Sequence, residues 1–251
     1  MSGEIVCHRD GAIAQVRLRH PQRMNAMTRA MWRQLRQVFE QLQADPSLRV
    51  VVVRGESGHF CAGGDIAEYA DFRFQRESLR AFHEDEVWAA LAAMLSCDLP
   101  LVAQIEGNCM GAGVEIACCC DIRLAAADAR FGAPIARREA ALVARVAGES
   151  TARAMLLAAQ LMDAPTLERR GFLQQVLPPA ELGAEVDRLA QRMAQLAPQA
   201  ARMNKATLRA LAEQGQSALA GLVQTAYDYA DSAEHREGVN AFMQKRTPQF
   251  S

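Results

Sequence analysis

Charge of one sign is what this sequence of 251 residues lacks most. Its 28 basic and 29 acidic side chains leave a formal net charge of −1, so no polyanionic partner is favoured. Arg137-Arg138 and Arg169-Arg170 are too short to form the basic patch that nucleic-acid binding needs, and none is expected. No apolar run reaches membrane-spanning length without a charge, which argues against a spanning helix. The first ten residues mix acid and base around no apolar segment, so no secretory leader is expected and a cytoplasmic location is. Disulfide pairing has little to work with. The seven cysteines are an odd number, and Cys118-Cys119-Cys120 are contiguous, so their side chains diverge and a shared metal site is not expected. Small buried thiols in a reducing compartment are the better reading. The five histidines show no ligand spacing, and His59 reads as a loop histidine. Met24, Met27, Met31 and Met110 read as pocket or core surface.

What is present is an ordinary globular composition, half hydrophobic and 23% charged, in a chain long enough for a substantial core. Short apolar strands are expected at 5–7, 13–19, 49–54, 101–105 and 122–126. Helical periodicity runs from an N-cap at Thr28 to Asp45-Pro46, and again over 66–74, 82–95 and 114–120. This alternation makes the first two thirds α/β. The last third turns helical over 151–161, 182–196, 199–212 and 217–230, with one further strand at 172–177. A soft boundary near Pro198 divides a core of residues 1–197 from a helical region of residues 198–251.

Two glycine-bearing turns carry the chemistry. Phe60-Cys61-Ala62-Gly63-Gly64-Asp65-Ile66 follows the strand at 50–53, and Gly111-Ala112-Gly113-Val114-Glu115 follows the one at 101–105. Small residues at such turns let a ligand approach the backbone and leave amide N–H groups free to point at it. Two turns could each aim one N–H at an oxygen that gains negative charge, an oxyanion hole without side chains. Glu115 follows the second turn closely enough to move a proton beside that oxygen. It sits between Val114 and Ile116 in an apolar helix, where an unemployed carboxylate would be costly to bury. Its presumptive cap, Ala112 or Gly111, has no side-chain oxygen, so a reciprocal capping box is ruled out. Tight packing without a ligand is the plain reading of either turn alone. Residues 107–113 also mimic a dinucleotide turn, with Asp128 near the ribose-binding distance. About a hundred residues of α/β pattern precede it, however. Tyr69, Tyr227 and Tyr229 are followed four residues on by Arg73, Asp231 and Ala233, never by the lysine a short-chain dehydrogenase needs.

With those residues in view, the chain resembles the enoyl-CoA hydratase/isomerase (crotonase) superfamily over nearly its whole length. Residues 20–27, HPQRMNAM, look like that family's early P-x-x-x-N-A-[LM] element, and 60–66 its F-x-A-G-x-D-[IL] element. Residues 100–107, 111–115, 120–123 and 131–134 follow its most specific stretch. Arg236-Glu237-Gly238 with Phe242 and Lys245-Arg246 looks like its C-terminal signature. The resemblance implies a spiral of ββα repeats and C-terminal helices that build trimers, often paired into hexamers. It implies an acyl-CoA substrate and no cofactor beyond the coenzyme A that the substrate carries. The amides of Ala62 and Ala112 would hold the thioester carbonyl, with Glu115 as acid or base. Met24, Ala26, Gly63, Gly64, Asp65, Ile66, Gly111, Pro134 and Ile135 would line the substrate groove, and Phe242 and Lys245 would approach the CoA nucleotide, often from a neighbouring subunit.

The sequence departs from this pattern at one position. Family hydratases carry a second glutamate just after F-G-x-P, where this chain has Ile135, and the stretch 136–147 is shorter than the family's. Glu139, Asp71, Glu68 and Glu84 are the candidate replacements. Two functions remain open: an enzyme that hydrates or isomerises an enoyl-CoA through an enolate, and a catalytically lapsed acyl-CoA-binding relative.

Overall fold

The computed structural model describes residues 3–133 and 135–250, the side chains of Ala70, Asp71 and Leu219 aside. Nine strands are present among the described residues: β1 Glu4–Asp10, β2 Ile13–Arg19, β3 Val50–Gly55, β4 Leu101–Ile105, β5 Asn108–Met110, β6 Ile122–Ala126, β7 Arg130–Gly132, β8 Met162–Asp163 and β9 Gln175–Leu177. The helices of the first half are α1 Arg29–Ala44, α2 Arg76–Ala81, α3 Ala89–Ser96 and α4 Ala112–Cys119. They are followed by α5 Arg137–Ala147, α6 Glu149–Leu157, α7 Ala164–Arg169 and α8 Pro179–Ala194. The chain ends with α9 Pro198–Gln214, α10 Leu219–Thr225 and α11 Ala233–Met243.

Six strands form one sheet in the order β1-β2-β3-β4-β6-β9, parallel from β2 onward, with β1 antiparallel at the edge. Successive side chains of a strand point to opposite faces, so a strand covered on both sides reads as an unbroken apolar run. Val50–Val53 is such a run. Val51 and Val53 belong to the large core shared with α1 and α3, while Val50 and Val52 pack with Leu182 and Val186 of α8. Helix α1 begins where expected, because the Thr28 hydroxyl accepts the Met31 amide at 3.1 Å and satisfies one of the four free N–H groups of the first turn.

After each central strand the chain pairs with the next turn of a spiral before entering a helical segment. Met27 bridges Gly64, Cys61 bridges Cys109, and β5 pairs in parallel with β7, completed by β8. This is the ββα recurrence that the family resemblance implied. The fold is α/β with a mainly parallel sheet.

Several elements differ from the sequence-based expectation. Strands β5, β7 and β8 span two or three residues, too few to show a period. The stretch after Ile135 forms α5, whose buried Glu139, Leu142 and Val143 face inward. The helix expected at 82–95 starts as a π-helix, Phe82–Trp88, before α3. The strand expected from residue 172 pairs only over Gln175–Leu177, because Phe172 and Leu173 turn into the core. The helix expected at 217–230 stops at Thr225, and α11 follows a cap in which Ser232 accepts the His235 amide. Cys118, Cys119 and Cys120 are buried, and burial pushes the thiols of Cys118 and Cys120 up to about 12, as suits inert packing residues.

Candidate active site

The two glycine turns are laced to each other by main-chain hydrogen bonds. The Phe60 amide donates to the Glu106 carbonyl at 2.7 Å, Cys61 to Asn108 at 2.9 Å, and Met110 back to Cys61 at 2.8 Å. Residues 60–62 therefore run beside 106–110 as a short parallel ladder. Gly113 permits this contact, because a Cβ there would stand 2.7 Å from the Cys61 carbonyl oxygen. Gly111 caps α4 with φ +47°, a left-handed value that glycine adopts at little cost. The turns converge on one cavity of about 500 Å³. Its lining includes Ala62, Gly63, Gly64 and Ile66 from the first turn, Gly111, Ala112 and Glu115 from the second, and Ile135.

The two amides are not equivalent. Ala112 is the first residue of α4, and its N–H meets no backbone acceptor among the described residues. The Ala62 N–H donates to the Met24 carbonyl at 3.0 Å. Two free donors were expected; one is engaged, and the other has no backbone acceptor among the described residues. The cause lies in the loop at 20–26. Met24 and Asn25 both adopt left-handed backbone, with φ of 48° and 59°. The fully buried Asn25 side chain accepts the His20 amide and donates to the carbonyls of Glu56 and His59, both at 2.7 Å. Asn25 thus ties this loop to the first turn. Its role was not read from the sequence, although an asparagine able to satisfy all its hydrogen bonds is the signal.

Glu115 is buried and faces the cavity. Burial, helped by the charge of Glu139, pushes its carboxyl up to about 8, so it holds a proton at neutral pH. The helix N-terminus does not offset that desolvation. Of the candidate second acids, Glu68 accepts the Arg29 amide at 2.7 Å and Glu84 pairs with Arg138 at 2.5 Å. The Asp71 side chain lies outside the described residues. Glu139 is 2% exposed, on the first turn of α5. Ile135 occupies the cavity wall where the second glutamate would stand.

Other expected residues fall elsewhere. Pro134 lies outside the described residues. Asp65 caps the 3₁₀ helix Ile66–Asp71 by accepting the Ala67 amide, Ala26 is buried, and Met24 contributes its carbonyl rather than a cavity wall. Phe242 lines a separate apolar cavity with Met203, Tyr229 and Phe250, and Lys245 is exposed nearby in sequence; neither reaches the Glu115 cavity within one chain. His59 accepts the Asn108 amide and so supports the second turn. Trp32, Tyr69, Arg73 and His83 complete the cavity and were not singled out from the sequence as its lining. They are contributed by segments whose local pattern says nothing about where they fold.

Residues 8–251 match the family described as enoyl-CoA hydratase/isomerase. The chain belongs to that family. It is 32% identical to the 2,3-dehydroadipyl-CoA hydratase of Escherichia coli, with 98% of each chain covered. Its fold resembles the crystal structure of an enoyl-CoA hydratase/carnithine racemase from Magnetospirillum magneticum. That match has a TM-score of 0.92 and 37% identity over 98% of this chain and 95% of the other. Pseudomonas aeruginosa AtuE matches at a TM-score of 0.90 and 32% identity, covering 97% and 98%. Within this enoyl-CoA hydratase/isomerase-family chain, no group of three His, Cys, Asp or Glu among the described residues could hold a metal ion. No described helix is long and apolar enough to cross a membrane.

Proposed function

We propose that the protein acts on an acyl-CoA thioester through an enolate, with Glu115 moving the proton at Cα in hydration or double-bond isomerisation of an enoyl-CoA. One observation carries this reading: a buried carboxyl that stays protonated to about pH 8, in the same cavity as an Ala112 amide that has no backbone acceptor among the described residues and stands at a helix N-terminus. Adding charge to the thioester oxygen is favoured where a fixed N–H already points, and one such donor contributes about 3–4 kcal/mol to the transition state. Ala62 supplies the second donor once the thioester oxygen displaces or shares its bond to Met24. A neutral acid at Cα completes the protonation of the enolate. Coenzyme A enters as part of the substrate, and no other cofactor is required. Assembly as a trimer, or two stacked trimers, would let Phe242 and Lys245 reach a neighbour's nucleotide. A core of residues 1–197 with an assembly region of residues 198–251, in the cytoplasm, belongs to the same reading.

The test is deuterium exchange at Cα of butyryl-CoA in heavy water. Wild-type protein should exchange it, and Glu115→Gln should lose exchange by about 10³-fold while calorimetry finds the ester still bound. Exchange unaffected by Glu115→Gln would remove that residue from the mechanism. The second reading, a lapsed acyl-CoA binder, draws on Ile135 and on the engaged Ala62 amide. It predicts binding with no exchange in the wild type.

A further inference from the structure

Glu139, one of the candidate replacement acids, meets His83, a residue that the sequence does not single out. Helix α5 and the π-helix Phe82–Trp88 are joined by two adjacent pairs. The outer pair, Arg138 with Glu84 at 2.5 Å, is exposed, and Arg138 also lies 4.2 Å above the Trp88 ring. The inner pair sets His83 Nδ1 at 3.6 Å from Glu139 Oε1, with the carboxylate 2% exposed. That separation is too long for a hydrogen bond, and the buried His83 Nδ1 has no other partner among the described residues. Leaving that ring nitrogen unmatched costs stability unless something else completes the bond. His83 also lines the Glu115 cavity. It does so from a π-helical turn, a distortion that recurs at functional sites. Catalytic hydrogen bonds are often long in the empty enzyme and tighten around the substrate.

We propose that Glu139, oriented by His83, is the second proton-transfer group of the reaction, replacing the acid lost at Ile135 and making the protein a hydratase. This rests on the acyl-CoA reading above. In the hydration step, Glu139 takes a proton from water as the water oxygen bonds to Cβ. The π electrons move through Cα to the thioester oxygen. The enolate then collapses and Cα takes the proton of Glu115. H and OH have been added to the double bond, and the proton on Glu139 returns to Glu115 through water before the next turnover. His83 is a positioning residue: its ring holds the carboxylate in place. Glu139 stands behind the cavity wall, beside His83, and the ionisable groups that line the cavity with His83 and Glu115 are Tyr69 and Arg73, with the Arg73 guanidinium 4.3 Å above the Tyr69 ring. Glu84 is neutralised by Arg138 on the outer side.

The test sets hydration of crotonyl-CoA and 2,3-dehydroadipyl-CoA beside butyryl-CoA exchange. Glu139→Gln should lower hydration by roughly 10²-fold or more, the usual contribution of general base catalysis. It should leave Cα exchange within about threefold, since Glu115 stays in place. Glu139→Asp should recover part of the loss. His83→Gln should lower kcat about tenfold with KM unchanged and move a limb of the pH–rate profile, which a purely structural contact would not do. Thermal melts confirm that each variant folds. If Glu139→Gln hydrates at the wild-type rate while Glu115→Gln is inactive, the dyad is wrong and the acyl-CoA reading stands. Equal loss of hydration and exchange in Glu139→Gln would make it a structural residue. Wild-type protein that neither exchanges nor hydrates any of these esters would sink both readings together.

Discussion

The spiral core and the C-terminal helices treat apolar residues in opposite ways. In the core, Phe131 is fully buried with its ring edge-on to Phe172, and every residue of β4 is buried. Past Pro198, α9 has no buried residue at all, while Leu208, Tyr227 and Met243 are exposed and Phe242 is 86% exposed. The core satisfies itself. The C-terminal segment instead leans on the core through polar contacts: Lys205 to Asp121 and to the Leu99 carbonyl, both at 2.7 Å, and Arg209 to Asp98. These exposed apolar side chains are the surface that the trimer proposed above would cover.

That contrast can be broken at its strong end first. Phe131→Ala should destabilise the fold by about 3–5 kcal/mol in denaturant melts, the usual result of emptying a packed aromatic site. A loss under about 1 kcal/mol would mean the core is far looser than its burial implies. Ala112→Pro removes one N–H at a helix position that does not use it, so stability should change little. Turnover should nonetheless fall about 10²–10³-fold if that amide holds the developing oxyanion. Wild-type turnover in that variant would clear Ala112 of any role.

Glu115 offers a pH test of core burial. Between about pH 4.5 and pH 8 its native carboxyl keeps a proton that the unfolded chain has released. Native stability should therefore fall by up to roughly 1.4 kcal/mol per pH unit across that window, on its account alone. Glu115→Gln should match the wild type at the acid end, gain on it steadily as pH rises, and stay ahead above about pH 8. Parallel stability curves for the two proteins would show that the carboxyl is not held neutral by burial. The smallest effect belongs to the C-terminal region. Phe242→Ala should change the stability of the single chain by about 0.5 kcal/mol or less, as expected for an exposed side chain. A larger loss that grows with protein concentration would identify Phe242 as part of a surface between copies.

Much of this was legible in residue order. The apolar run 50–53 marked a strand, Thr28 announced a helix start, and Glu115 between Val114 and Ile116 pointed to a buried carboxyl. Strands of two or three residues were not, because no period can be read from so few positions. The π-helical start at Phe82 was hidden for a different reason: its residues suit an α-helix.

What the order of residues determined by itself is which face of each segment is buried and where the backbone must turn through glycine, since both depend on neighbours three or four positions away. Which groups meet across the cavity was decided only by the folded path. Met24 reaches the Ala62 amide through a left-handed loop held by Asn25, and Glu139 approaches His83 where α5 meets the π-helix through two side-chain pairs. Such meetings are contacts between distant parts of the chain, and they exist only once the parallel ladders have closed.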